Sequence, residues 1–198
     1  MKRKPKTPRT PAPDRILSVA SELFYKKGYR ATGINEVIDK SDVAKATLYT
    51  HFPSKDHLAL AYIRASRETE LEYLDECIAK EVDPVKRLLT VIESLIPWLE
   101  RTDFRGCPFI NLASEVPDFD SPLRQEGVRV YSEARRRVKA LAEGLIASDP
   151  QRYAQLDADQ LTDDYLLLFA GAVALAEIYH AIWPVERACE AARRLIGE

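Results

Sequence analysis

Residues 14–57 read DRILSVASELFYKKGYRATGINEVIDKSDVAKATLYTHFPSKDH. Three short amphipathic helices fit into this window, the third only about two turns long. A helix of that length is marginal alone, so neighbouring elements must hold it. A helix-turn-helix supplies the support and a purpose, since it presents its last helix to the DNA major groove.

The helix signals are readable one by one. Asp14, after Pro13, is placed to cap the first helix, whose apolar positions Ile16, Leu17, Ala20, Leu23 and Phe24 recur at helical spacing. Lys26 and Lys27 complement the negative C-terminal end, and Gly28 fits the left-handed position that stops the helix. Thr32 or Gly33 opens a second helix with Ile34, Val37 and Ile38 facing inward, and Val43 lies in the turn. Leu48 and Phe52 anchor the third helix, leaving Lys45, Thr47, Tyr49 and His51 outward. Ser54, after Pro53, caps a fourth helix with Lys55 in its first turn.

Two runs in this window, Leu23-Phe24-x-x-x-Gly28-Tyr29-x-x-Thr32 and Thr47-Leu48-Tyr49-x-His51-Phe52-x-Ser54-Lys55-Asp56, carry a family resemblance. Residues 14–60 resemble the DNA-binding domain of TetR-family transcriptional regulators. Two positions depart from the family pattern. Asp42 stands where a turn glycine is common, and Asp tolerates a left-handed backbone better than most residues. Ala44 replaces a usual serine and removes a cap. The resemblance implies that Thr32 binds a phosphate through its hydroxyl or amide. It further implies that Lys45 and Thr47 touch phosphate or base edges, and that Tyr49, His51 and Lys55 reach the DNA backbone. His51 has the alternative of packing or bonding locally.

The whole chain of 198 residues carries a net charge of −2. The charge is unevenly divided. Residues 1–60 hold 12 Lys or Arg against 6 Asp or Glu, and the remainder 17 against 25. A basic head on an acidic body orients an encounter with DNA. Residues 1–13 intersperse Lys2, Arg3, Lys4, Lys6 and Arg9 with four prolines. With no apolar face, that segment reads as a disordered basic arm, either a minor-groove arm or a solubilising tail. It lacks the apolar core of a signal peptide, and no run approaches the ~20 apolar residues of a membrane span. Cys77, Cys107 and Cys189 are far apart and lack metal-ligand spacing, which fits a reducing cytoplasm.

Beyond residue 60 the pattern is helical throughout. Helix four runs from Ser54 towards Cys77. Asp83-Pro84 opens a helix through Leu88, Leu89, Ile92, Leu95, Ile96 and Leu99, with Pro97 expected to bend it. Ser121-Pro122 opens a long helix ending near Gly144, on which Arg135, Arg136, Arg137 and Lys139 form a solvated face balanced by acidic surroundings. The stretch from about Asp159 to Ile182 is the most apolar helix and must be buried on more than one side. With the short helix after Pro184 it would form a four-helix dimer interface, as the resemblance also implies; the alternative is an ordinary core helix.

One constellation goes beyond fold. In Arg105-Gly106-Cys107-Pro108 the cysteine is the N-cap of a helix opened by proline, so the helix dipole and Arg105 favour thiolate. The run Gly106-Cys107-x-x-x-Asn111-Leu112-Ala113-x-Glu115 also looks like one found in a subset of TetR-like regulators, some of which sense electrophiles or oxidants through this cysteine. The alternative is a small buried hydrophobe. Asn111 and Glu115 share a helix face, for a ligand's polar group or for a buried helix end. Trp98, Phe104, Phe109, Tyr131, Tyr165 and Phe169 suggest an aromatic-lined cavity, although the same residues would fill any helical core.

The expectation is an all-α chain. Residues 1–13 form the arm, 14–60 a three-helix helix-turn-helix DNA-binding domain, and 61–198 a helical ligand-binding and dimerisation domain. The function expected is that of a homodimeric repressor. A small molecule or thiol-reactive effector would release it from double-stranded operator DNA. No cofactor, metal cluster, glycine-rich phosphate loop, membrane partner or nucleophile–base motif is expected. Two alternatives stand beside it: a small helical enzyme with Cys107 as nucleophile and His180 and Glu115 as partners, and a sequence-indifferent architectural DNA-binding protein.

Overall fold

The computed structural model describes residues 10–198 and is built of α-helices. The basic residues of the N-terminal arm, up to Arg9, lie outside the described residues. Helix α1 (Ala12–Lys27) packs against α2 (Ile34–Ser41) and α3 (Lys45–His51). Ile16, Ala20, Leu23, Phe24, Val37 and Leu48 are buried between them. Helix α1 starts three residues earlier than a cap at Asp14 implied, so Ala12 and Pro13 belong to it rather than to the arm. Its N-cap is Pro11, with no side-chain cap, and Asp14 sits in the first turn, where its charge complements the dipole. Proline is tolerated there because first-turn amides have no helical partner. Gly28 ends α1 at φ 95°. Asp42 ends α2 in the left-handed region (φ 52°, ψ 55°), as its place in the turn predicted. Ala44 precedes α3 without a side-chain cap.

Helix α4 (Lys55–Ala79), capped by the Ser54 hydroxyl accepting from the His57 amide, is about 37 Å long and runs out of this head into the body. Its Leu58, Ala59, Tyr62 and Ile63 bury at the head end, and Leu71 and Ile78 at the other. Next come α5 (Pro84–Glu93), capped by the Asp83 carboxylate, and α6 (Leu95–Arg101), which has no side-chain cap and is separated from α5 at Ser94. The break lies one turn before Pro97, which has no N–H for the carbonyl of Glu93 and clashes with it. Helices α7 (Pro108–Glu115), α8 (Pro122–Ser148), α9 (Ala158–Tyr179) and α10 (Trp183–Leu195) complete the body. Helix α8 passes Gly144 and continues to Ser148, because Leu145 is fully buried and outweighs the ~1 kcal/mol cost of a helical glycine.

Helices α5, α8, α9 and α10 pack as a bundle, with α4 laid against α5 and α8. Between α4 and α8 the Glu126 carboxylate, 1% exposed, meets Arg64 (2.9 Å), Arg67 (3.1 Å) and Arg129 (2.7 Å). The Arg135–Lys139 cluster is neutralised as expected: Arg135 pairs with Asp159 and Asp163, Lys139 with Asp159, and Arg137 with Asp75. Helix α9 buries one face on Leu161, Tyr165, Ala172, Val173 and Ala176. Its other face leaves Leu167 72% and Ile178 74% exposed, flanked by Leu175, Tyr179 and Trp183.

Candidate functional site

The surface of α3 is built by its shortness. Leu48 alone is fully buried on this helix, so Lys45, Tyr49, Thr50 and His51 stand exposed and Thr47 half-buried. The Thr50 hydroxyl donates back to the Ala46 carbonyl (2.8 Å). Thr32 departs from expectation. It is 1% exposed and its hydroxyl donates to the Gly28 carbonyl (2.8 Å), closing the α1–α2 loop. Only its backbone amide remains as a phosphate donor. Lys55 is half-buried, its Nζ 4.5 Å above the Tyr29 ring and donating to the Arg30 carbonyl (3.3 Å). Burial pulls its pKa below the usual lysine value, partly opposed by Glu115 and Asp56. The Tyr29 hydroxyl in turn donates to Asp56.

In the body, α4, α6, α7, α8 and α9 line a partly open cavity of ≈ 90 Å³. Trp98, Cys107, Phe109, Tyr131 and Phe169, expected near a ligand, line it together with Tyr73, whereas Phe104 does not. Tyr165, grouped with them from sequence, is instead fully buried, and its hydroxyl has no hydrogen-bond partner. Sequence reading missed Glu70, which also lines the cavity. Its placement could have been sought on the inward face of α4, one position before the buried Leu71. Burial pushes the Glu70 carboxyl up to about 7, against smaller opposing effects of the Arg101 charge and the Trp98 indole.

Cys107 is the N-cap of α7, as the proline spacing required. The expected thiolate is not favoured. The side chain is buried, 3.7 Å from the Tyr131 hydroxyl, and burial pushes the thiol pKa up more than the Ile110 and Phe109 amides pull it down. Arg105 does not serve the sulfur: its guanidinium pairs with Glu177 of α9 (2.6 Å).

Asn111 and Glu115 share a face but do not line the large cavity. They border a narrow cleft of ≈ 10 Å³ between α1 and α7. Asn111 donates to the Arg105 carbonyl (3.0 Å). The Glu115 carboxylate accepts from the amides of Tyr29 (3.1 Å) and Arg30 (2.6 Å), in the loop between α1 and α2. A Cβ on Gly28 would come within 2.6 Å of that carboxylate, so the glycine lets it in. At the other end of α7, the Tyr25 hydroxyl donates to the Gly106 carbonyl (2.9 Å), and Arg105 donates to the Lys26 carbonyl (3.4 Å). The partners imagined for a Cys107 nucleophile are thus engaged elsewhere: Glu115 with the head, and His180 against Phe104 and Asp103. Among the described residues, no group of three or more His, Cys, Asp or Glu side chains is arranged to hold a metal ion. Among the described residues, no helix is long and apolar enough to cross a membrane.

Residues 16–62 match the family described as bacterial regulatory proteins, tetR family, and residues 84–192 match the tetracyclin repressor-like C-terminal domain. The HTH-type transcriptional regulator LmrA of Bacillus subtilis (strain 168) is 32% identical over 122 residues, 61% of this chain and 65% of LmrA; the chain thus spans just under two thirds of that relative. The HTH-type transcriptional activator FasR of Mycolicibacterium smegmatis is 30% identical over 165 residues, 74% of this chain and 73% of its own. A TetR transcriptional regulator from Chloroflexus aurantiacus superposes with a TM-score of 0.83 at 28% identity, covering 94% of each chain.

Proposed function

The chain belongs to the TetR family of bacterial transcriptional regulators, and from that premise we propose that it is a homodimeric operator repressor released by a small molecule held in the body cavity. One observation carries this reading. A single eight-residue helix, α7, has Pro108 and Phe109 in the cavity wall at one end and Glu115 on the backbone of the head at the other.

The Tyr29–Arg30 peptide segment is gripped from two sides. Glu115 takes its amides, and Lys55 donates to the Arg30 carbonyl. An effector that displaces Phe109 or Pro108 moves Glu115, and with it the loop that orients α2, α3 and Lys55. In a dimer, the two α3 helices must fit successive major grooves about 34 Å apart on one DNA face. A small rotation of each head removes that fit, so effector binding shifts the population away from the DNA-bound form. Lys45, Thr47, Tyr49, His51, Lys55 and the amide of Thr32 are the proposed DNA contacts. The exposed Leu167, Leu175, Ile178, Tyr179 and Trp183 form an apolar face suited to a second copy of the chain.

The test is selection of genomic DNA fragments by the purified protein, followed by footprinting and sedimentation. The expected result is a pseudo-palindromic footprint bound by a dimer that persists without DNA at micromolar protein. Binding without a discrete footprint would instead mark an architectural DNA-binding protein, and a monomer at that concentration would remove the release mechanism.

A further inference from the structure

Among the described residues, Glu70 is the only charged side chain lining the body cavity; the rest of the wall is apolar or aromatic, with few polar groups, most of them already engaged. The Tyr73 hydroxyl donates to the Ser94 carbonyl (3.0 Å), and the Ser94 hydroxyl to Val91 (3.3 Å). Tyr131 meets Cys107. Among the described residues Glu70 has no ion pair within 4 Å. The nearest guanidinium, Arg101, is stacked over the Tyr73 ring at 4.7 Å instead of closing on the carboxylate. Trp98 Nε1 is buried and acts on the Glu70 carboxyl, lowering its pKa slightly, without closing a well-formed hydrogen bond. A carboxylate taken from water without a partner is costly, and nothing in the packing requires an acid here. A glutamine or leucine would fill the same space. Trp98, Tyr73, Tyr131, Phe109 and Phe169 line the same cavity as this carboxylate, and aromatic faces attract cations.

We propose that the effector of this cavity is a lipophilic cation, a quaternary ammonium or protonated amine on an apolar or aromatic body, whose charge is received by Glu70 among these rings. This rests on the cavity being the effector site. An anionic effector such as a fatty acid would set its carboxylate against Glu70 in a water-poor wall, so the same residue excludes that class. Cation binding supplies Glu70 with the ion-pair partner that the fold withholds.

The test is calorimetric titration of the full-length protein with three probes: phenylbutyltrimethylammonium, its neutral isostere with carbon in place of the nitrogen, and phenylbutyrate. The cation is expected to bind about tenfold more tightly than the isostere, with phenylbutyrate weakest. In Glu70→Gln the cation should lose that advantage. In the wild type, the advantage should shrink between about pH 8 and about pH 6 as the carboxyl takes up its proton, whereas the ammonium probe does not titrate. The other groups around Glu70 do not compete in that range. Arginine stays charged, and burial moves the protons of Tyr25, Tyr73, Tyr131 and Cys107 to higher pH. Equal binding of cation and isostere by the wild type, a preference kept in Glu70→Gln, or binding of none of the probes would each overturn the assignment. Should the variant misfold, the wild-type pH series decides alone. Release of operator DNA by the neutral isostere would leave the effector cavity standing while the charge assignment falls.

Discussion

The head's hydrogen bonds reach across at most 27 residues and the body's across as many as 100, and that difference decides what each can do. In the head, Thr32 closes on Gly28 and Ser41 on Val37, each four residues away. In the body, Arg64 reaches Glu126 across 62 residues and Arg193 reaches Glu93 across 100. A locally determined head keeps its shape when its attachment shifts, so it suits a rigid reader of a fixed groove. A body assembled from distant helices can open around a ligand without unfolding any one of them. The coupling lies where the two regimes meet, in the Glu115 bonds that span 86 and 85 residues.

The largest effect expected is on the head. Leu48 is fully buried and is the main anchor of α3, so Leu48→Ala should cost about 3 kcal/mol. Operator binding should be lost while the dimer persists in sedimentation, because the apolar face of α9 is untouched. Calorimetry should show a head transition moved down and a body transition in place. One transition that shifts as a whole would mean that head and body unfold as a unit, and the contrast drawn here would break.

A smaller effect is expected at the junction. Glu115→Ala removes a charged acceptor from two amides, a loss of about 1–2 kcal/mol locally. Hydrogen exchange at the Tyr29 and Arg30 amides should speed up by roughly tenfold or more. Effector should then release operator less completely than from the wild type, although it still binds. Unchanged exchange at both amides would show that the carboxylate does not hold the loop in solution.

These two regimes also explain what could be read from sequence. The head signals are short-range, so Gly28, Asp42, Ala44 and Ser54 were each legible as a stop, a turn, a missing cap and a cap. The Asp83-Pro84 and Cys107-Pro108 starts were legible for the same reason. Tertiary contacts were not. The Thr32 hydroxyl was read as a phosphate ligand because nothing local reveals that the loop folds over it. Glu115 was read as a ligand contact because its partners lie far up the chain. Glu70 passed unnoticed because its significance comes from the aromatic side chains on four other helices. Helix α8 overran Gly144 because buried Leu145 counts for more than local propensity.

The Lys55 contact offers a finer division between affinity and attachment. Lys55→Ala should weaken binding to all DNA and reduce the salt dependence by roughly one phosphate contact. Thr47→Ala should change the ranking of operator variants instead, by about 1–3 kcal/mol at the affected position. Lys55 also holds the Arg30 carbonyl beside the Glu115 clamp. An unchanged salt slope together with a weakened effector response would therefore assign it to the junction rather than to DNA.

The smallest effect is expected at Cys107, and it tests whether local signals or tertiary burial rule at the cavity edge. The N-cap position supplies amides from Phe109 and Ile110 that favour thiolate, but enclosure by the cavity wall raises the thiol pKa by more. A raised pKa means a smaller thiolate fraction at neutral pH, and only the thiolate attacks an alkylating agent. In the native protein at about pH 7, Cys107 should therefore be labelled more slowly than the half-buried Cys77, and all three cysteines at similar rates once the chain is denatured. Cys189, also pushed up by burial, to about 11, should fall on the slow side with Cys107. Replacing the weak 3.7 Å contact to Tyr131 in Cys107→Ser should change stability by less than about 1 kcal/mol, since a hydroxyl can keep a partner there. Mass spectrometry of each cysteine across pH separates the two influences. If Cys107 reacts fastest at neutral pH, the helix terminus has outweighed burial, and a thiol-reactive effector becomes the better account of release. If it reacts slowest, the cysteine is part of the wall, and release depends on what the cavity binds.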